Sequence, residues 1–350
     1  MTEPRYDVIA IGNAIVDVMS PCTEELIDEL DLNKGGMTLV DEDGAQRLYE
    51  AMGPAREISG GSAANTLAGM SALGAQCAFV GQVAKDQLGD VFTHDIRAVG
   101  IDFDTPSRDG QPSTARCLIF VTPDGERTMN TFLGAGQFLP ASALDEELIA
   151  SAAILYLEGY LWDPEEPRSA MRRAIEVARK AGRKVAFTAS ESFVIDRHGD
   201  DFRKMIEEGL IDIMFVNETE LATLTGESEF EAGLAALDGK IPVLVATRSA
   251  KGAVGIANGQ RAEVNAEPVE KVIDTTGAGD AFLGGLLTAL HLGADWPSAG
   301  AFANACGAAC CEQLGAFPED ALAARARVAE GARASGVAFP ALPERGAVPA

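Results

Sequence analysis

The sequence predicts an α/β protein, a parallel sheet covered by helices on both faces with a small β-lid set into it. Three observations carry this. Short apolar segments alternate with amphipathic ones through most of the 350 residues, the pattern of βα units whose strands are buried on both faces. Two stretches, 13–40 and 105–133, break that alternation with Pro, Gly and hairpin-like pairs. Further on, Gly277-Ala278-Gly279-Asp280 opens an apolar run compatible with a helix, so a glycine turn feeds a helix start.

In chain order, the predicted strands are 7–11, 78–80, 154–157, Lys184–Thr188, 213–216 and 243–246, each short and largely apolar. The helices expected between them span 61–73, 87–99, 166–181 and 201–208. In sheets of this kind ligands sit beyond the carboxyl ends of the strands. The lid segments carry Pro21, Gly35-Gly36, Pro106 and Pro112, and Ala115–Val121 and Arg127–Phe132 flank Pro123-Asp-Gly125 as a β-hairpin would. One domain over 1–338 is expected, with a loosely packed tail at 339–350 that is rich in Pro and Gly.

Composition narrows the function. Apolar residues make up 47% and charged residues 23%, which fits a folded globular chain. No apolar run approaches the roughly 20 residues of a membrane span, and Glu3 and Arg5 precede the first strand where a signal peptide would be apolar. The expectation is a cytoplasmic protein. A net charge of −25 disfavours nucleic acid and anionic membranes as partners, since both are bound through Lys and Arg, but it leaves room for a nucleotide held by backbone N–H groups and Mg²⁺. The six cysteines form no Cys-x-x-Cys pair and are expected as buried free thiols. His94, His198 and His291 show no metal or triad spacing and receive no role.

Chemistry concentrates in a few places. The Gly277–Asp280 turn aims backbone N–H groups and a helix dipole at one point, which suits an anion, and Asp280 stands beside it as a base. Together they suggest phosphoryl transfer to an alcohol, although a plain helix cap fits the turn equally well when it is read alone. In Ser59-Gly60-Gly61-Ser-Ala-Ala-Asn65 the glycines allow close ligand approach and Asn65 offers a donor and an acceptor to sugar hydroxyls; a glycine-bearing loop into a helix is the plainer reading. Gly12-Asn13-Ala-Ile-Val-Asp17 has one glycine where a dinucleotide turn needs three, which argues against an NAD-dependent dehydrogenase. In Asn217-Glu-Thr-Glu220 the i, i+3 spacing puts both polar groups on one face of a helix start.

Asp274-Thr-Thr-Gly-Ala-Gly-Asp-Ala-Phe282 resembles the C-terminal signature of the PfkB carbohydrate kinase family along its full length. The stretch from Ser59 to Asp90 resembles the family's N-terminal signature, and the likeness extends over roughly residues 5–325. The resemblance implies a ribokinase-like fold and an ATP- and Mg²⁺-dependent kinase acting on a small sugar or nucleoside, as monomer or homodimer. It implies that Gly277, Ala278 and Gly279 form the anion hole and that Asp280 is the catalytic base. Asn13, Asp17, Gly60, Gly61 and Asn65 would bind the acceptor, and Asn217, Thr247, Gly252 and Asn304 the nucleotide. Glu220 would act on Mg²⁺ through water, and Asp274, with carbonyls near Gly315, falls in the region of a monovalent-cation site that could take K⁺.

Several segments, among them Tyr156-Leu-Glu-Gly-Tyr160 and Ser190-Glu-Ser-Phe193, look closest to adenosine kinase-like members, which points to the 5′-hydroxyl of adenosine. A ribokinase- or fructokinase-like sugar kinase is the alternative, and a nucleotide or sugar sensor the non-enzymatic one. An aromatic or apolar shelf for a base is expected among Phe132, Leu133, Tyr160, Leu161 and Trp162, where core packing competes. Leu133-Gly-Ala-Gly136 departs from the family, which often has Asn after this lid strand. Arg127, at the lid edge, faces either the phosphates or solvent.

Overall fold

A computed structural model describes residues 3–257, 259–269, 271–273, 275–312 and 321–334. The chain enters through β1 (Tyr6–Ile11), buried almost throughout because it ends in the middle of a doubly covered sheet. It leaves that sheet at once for the lid, through β2 (Ile15–Pro21), the short helix α1 (Glu24–Glu29), β3 (Met37–Leu39), α2 (Glu42–Ala51) and β4 (Arg56–Gly60). Next come α3 (Ser62–Ala72), β5 (Cys77–Val80), α4 (Gln87–Ala98) and β6 (Ile101–Asp102). A second excursion forms the lid hairpin of β7 (Ala115–Val121) and β8 (Arg127–Phe132). Strand and helix then alternate: α5 (Glu146–Ala150), β9 (Ala152–Glu158), α6 (Glu165–Lys180), β10 (Lys184–Thr188), α7 (Ser192–Glu207) and β11 (Ile213–Asn217). The pair α8 (Glu218–Thr225) and α9 (Phe230–Leu237) leads to β12 (Val243–Thr247), β13 (Ala253–Ala257) and β14 (Gln260–Val264). The helices α10 (Ala278–His291), α11 (Trp296–Cys311) and α12 (Ala321–Ala334) follow.

The main sheet has the order β14-β13-β12-β11-β10-β9-β1-β5-β6. From β12 to β6 every neighbouring pair is parallel, while β13 and β14 close the other edge antiparallel, an addition to the all-parallel sheet expected from sequence. The chain moves outward one way from β1 through β5 and the other way from β9 through β12. The β1/β9 boundary is therefore a switch point, where the carboxyl ends diverge and leave a crevice. One apolar layer under α3, α10 and α11 and a second under α6 and α7 cover the two faces.

The lid is a five-stranded sheet of order β3-β8-β7-β2-β4. Strand alternation gives it two faces. Val18, Leu118, Phe120 and Phe132 turn toward Ile27 of α1 and Ala45 and Leu48 of α2, a small core of its own, in which each fully buried large side chain contributes about 1.5–3 kcal/mol. The opposite face carries Asp17, Cys117, Thr131 and Leu39 in one cross-strand row.

Three local expectations change. Segment 13–40 contains α1, capped by Thr23, whose single buried residue Ile27 gives no readable period. Ser59 and Gly60, expected in a glycine-bearing loop into a helix, end a lid strand instead, β4, which pairs with β2. The helix expected at 201–208 begins at Ser192, and Gly199 with the polar run around it hid the face formed by Val194, Ile195, Phe202 and Met205. The tail 339–350 lies outside the described residues. Among those residues no helix is long and apolar enough to cross a membrane. All six cysteines are free thiols, Cys77, Cys117, Cys306 and Cys310 buried and Cys22 and Cys311 half-buried.

Candidate active site

The carboxyl ends of β1, β9, β10, β11 and β12 open into a cavity of about 410 Å³, roofed by the lid face that carries Ile15, Asp17, Met37, Leu39, Cys117, Met129 and Thr131. Two helices point their N-termini into it. α3 begins on Gly61 and α10 on Gly277, with φ of 100° and 74°, and neither start has a side-chain cap. Elsewhere helices such as α2, α4 and α11 are capped by Asp41, Asp86 and Asp295. In α10 the missing cap keeps first-turn N–H groups available to an outside anion, whereas in α3 the Ala63 N–H is taken by the Glu158 carboxylate. Gly61 is also sterically required, since a Cβ there would lie 2.3 Å from the Asn13 carbonyl oxygen.

Asp280 sits in the first turn of α10 with its carboxyl sunk into the cavity floor. Ser62 Oγ donates to one oxygen at 2.7 Å and Asn65 Nδ2 to the other at 3.0 Å. Burial raises its pKa above the usual aspartate value, and the two donors pull part of that shift back. Of the three residues expected to line the anion hole, Gly277 and Gly279 line the cavity, and a Cβ on Gly279 would meet nothing within 4 Å. The N–H of Ala278 closes a turn on the Thr275 carbonyl at 3.2 Å. From the lid, Arg127 Nη1 donates to Thr276 Oγ1 at 2.8 Å, so this arginine reaches the rim of the glycine turn rather than open solvent.

Glu158, fully buried at the end of β9, escaped the sequence reading. Its Oε1 accepts from the Asn13 backbone N–H at 2.7 Å and from Asn13 Nδ2 at 2.9 Å, and its Oε2 accepts from Ala63 N–H at 2.8 Å. One carboxylate thus ties the β1 exit to the start of α3 across the switch point. Burial pushes it up to about 7, against the pull of these N–H bonds, with Asp280 adding to the rise. The signal in the sequence was a glutamate ending an apolar strand, in a position where charge is buried only when paired or hydrogen-bonded.

Asn13, Asp17, Gly61, Asn65, Asn217, Glu220, Thr247, Gly277, Gly279 and Asp280 all line this one cavity. Gly60 sits against Asp17, whose Oδ2 would be 2.8 Å from a Cβ there. Asn217 and Glu220 form a reciprocal capping box at the head of α8, and burial first, then Glu191, pushes Glu220 up to about 7 against the Asn217 N–H bond. Gly252 and Asn304 do not line the cavity. They meet at the Asn265 segment, where Asn304 Nδ2 donates to the Asn265 carbonyl at 2.9 Å and Gly252, with φ of 85°, lies against the same backbone. Asp274 and Gly315 lie outside the described residues. Of the apolar shelf, Tyr160 and Leu133 line the cavity. Leu161 and Trp162 are core, Trp162 edge-on to Phe187 and Phe202, and Phe132 packs inside the lid, because bulky rings fill the layers on either side first. Phe193, quoted for its resemblance but not expected in the shelf, joins Tyr160 with ring centroids 6.3 Å apart. Gly136 backs onto the Asn13 side chain, and a Cβ there would be 2.8 Å from Asn13 Oδ1.

The sequence model of the pfkB family carbohydrate kinases matches residues 42–320. The chain belongs to this family. Being a pfkB family carbohydrate kinase, it is a phosphotransferase that acts on a hydroxyl group. An adenosine kinase from Sinorhizobium meliloti is 42% identical and superposes with a TM-score of 0.87 over 93% of this chain and 99% of its own. A probable sugar kinase from Rhizobium etli CFN 42 is 39% identical, with a TM-score of 0.88 over 95% of this chain and 99% of its own. Fructokinase-1 of Oryza sativa subsp. japonica is 31% identical over 272 residues, 74% of this chain and 84% of that protein. The ribokinase-like fold and the kinase chemistry implied by the two signatures therefore stand, as does the lid read from the breaks in alternation.

Asp17→Ala is expected to raise the KM for the acceptor at least tenfold while leaving the KM for ATP within about twofold, since a hydrogen bond to a charged group contributes about 1.5–3 kcal/mol. Steady-state kinetics with each substrate varied in turn decide it. An unchanged acceptor KM removes Asp17 from the acceptor site.

Proposed function

We propose that this pfkB family kinase transfers the γ-phosphoryl group of ATP to the 5′-hydroxyl of a nucleoside, adenosine first. One observation carries the choice of acceptor: the cavity is chemically divided. Its floor offers Asn13, Asn65 and Asp280, with Asp17 above them on the lid, suited to ribose hydroxyls, while Ile15, Met37, Leu39, Leu133, Tyr160 and Phe193 supply apolar surface, bordered on the β10 side by Thr188, Ser190 and Glu191. A monosaccharide carries hydroxyls on every side and would strand some of them against the apolar part. A nucleoside has a polar end and a flat apolar one.

In the proposed reaction Asp280 accepts the hydroxyl proton as the acceptor oxygen bonds to the γ-phosphorus and the bond to the bridging oxygen of ADP breaks. The N-terminus of α10 faces the charge that spreads over the transferring group. The hard oxygens of Asn217 and Glu220 fit a hydrated Mg²⁺, which when bound neutralises phosphate charge. The i, i+3 capping box keeps both side chains on that wall.

A sugar kinase is the second reading, favoured by the identity with the rice fructokinase. Incubation with Mg-ATP and a panel of adenosine, other nucleosides, ribose and fructose, followed by ADP release, separates the two. Adenosine is expected to give the highest kcat/KM. A sugar giving a higher value overturns the nucleoside reading in favour of the second.

A further inference from the structure

A carboxylate that the kinase chemistry leaves unused lines the same cavity. Asp163 follows the 3₁₀ turn Gly159–Trp162 at the end of β9. It is held by α7, on the β10 side, whereas Asp280 is tied to α3. Its Oδ1 takes His198 Nε2 at 2.9 Å and its Oδ2 pairs with Arg197 Nη1. The Arg197 guanidinium also covers the Phe193 ring at 4.9 Å, so the arginine fixes the acid and the aromatic wall together. Arg168 Nη1 approaches the other ring nitrogen of His198 at 3.4 Å. The Asp163 side chain keeps 21% of its surface exposed.

A carboxylate has about four acceptor positions and no donor. Two are occupied from behind, by His198 and Arg197. Asp163 lines the cavity together with Tyr160 and Phe193, whose rings would receive a flat base, with Ser190 and Glu191 on the same side. Charge placed there rejects a ring edge that presents a carbonyl and selects one that presents N–H.

We propose that Asp163 is the specificity-determining residue for the acceptor's base, and that it selects nucleosides whose ring bears an amino group over those bearing a carbonyl or hydrogen at that position. The assignment rests on the nucleoside reading above and adds to it the edge of the base that is read. His198 and Arg197 are positioning residues that hold Asp163 in place.

The test compares kcat/KM for adenosine, inosine and purine riboside, with Mg-ATP saturating, in the unaltered protein and in Asp163→Asn, with thermal melts of both. The unaltered protein is expected to prefer adenosine to purine riboside by about 10–100-fold, the range of a charged hydrogen bond, and to discriminate further against inosine. Asn, which can turn either a donor or an acceptor to the ring, is expected to bring adenosine and inosine within about threefold. Asp163→Glu, which keeps the charge but moves it one methylene, is a second variant expected to lower the adenosine to purine riboside ratio. Adenosine turnover with no preference in the unaltered protein, or a folded Asp163→Asn that keeps the full preference, overturns the role of Asp163 and leaves the nucleoside reading intact. Phosphorylation of a sugar and of no nucleoside overturns both, a result visible in the unaltered protein alone.

Discussion

Asp280→Asn is expected to lower kcat by about 10²–10⁴-fold, the usual contribution of a positioned general base, while ATP affinity stays within several-fold. The asymmetry follows from where the side chain points. Its two oxygens face Ser62 and Asn65 of α3, whereas in the proposed reaction the phosphoryl group would face the backbone of Gly277 and Gly279. Burial raises the Asp280 pKa, so the acid limb of the pH–rate profile should lie above the ordinary aspartate range: protonation removes the base, and activity rises as pH climbs through that value. The variant should lose this limb. Stopped-flow or steady-state kinetics together with calorimetric ATP binding measure both quantities. A parallel loss of turnover and ATP binding would mark Asp280 as a helix cap.

Glu158→Gln carries the second large effect, on stability. The carboxylate serves two opposed sets of donors, Asn13 on one oxygen and Ala63 on the other. A carboxamide turns its own N–H₂ toward one of them, leaving buried donors face to face at a cost of about 1–3 kcal/mol. The variant also changes the dependence on pH. Glu158 titrates near 7 in the folded protein, against 4.5 as the ordinary glutamate value. Between those values the folded state holds a proton that the unfolded state has released. Its contribution is therefore complete below about 4.5 and is lost as pH rises through 7, on the order of 3 kcal/mol across the window. Glu220 contributes a slope of the same sign over the same range. Denaturant melts at several pH values should show the unaltered protein losing more stability than Glu158→Gln as pH rises from 5 to 8. Equal slopes would mean that Glu158 does not titrate there.

The α/β body was legible because its strands are short, apolar and separated by helices with clear periods, as in Lys184–Thr188, where predicted and observed bounds coincide. The start of α10 was legible because a glycine turn followed by an acid and an apolar run marks a helix start. Elements whose sequence carries no period were not. β4 becomes a strand only because β2 runs beside it, and α1 buries a single side chain. Glu158, Ser62 and Arg127 have functional contacts made by residues 95, 218 and 149 positions away in sequence, and spacing along a chain cannot register such a meeting. The aromatic shelf failed for a related reason: Trp162 and Tyr160 are two residues apart, yet one faces the core and the other the cavity.

Gly61 is the single residue between the last lid strand and the helix that holds Asp280 in place. The sheet over the acceptor and the side chains that aim the base are thus joined by a one-residue link, locked against Asn13 with no room for a side chain. A kinase with a base beside an anion hole risks spending ATP on water. In the proposed reaction an acceptor large enough to engage Asp17 on β2 would bear on β4, the strand paired with it, which leads through Gly61 into the helix of Ser62 and Asn65. A water molecule spans no such distance. Preference for the alcohol over solvent would then be built into chain connectivity, ahead of any chemistry.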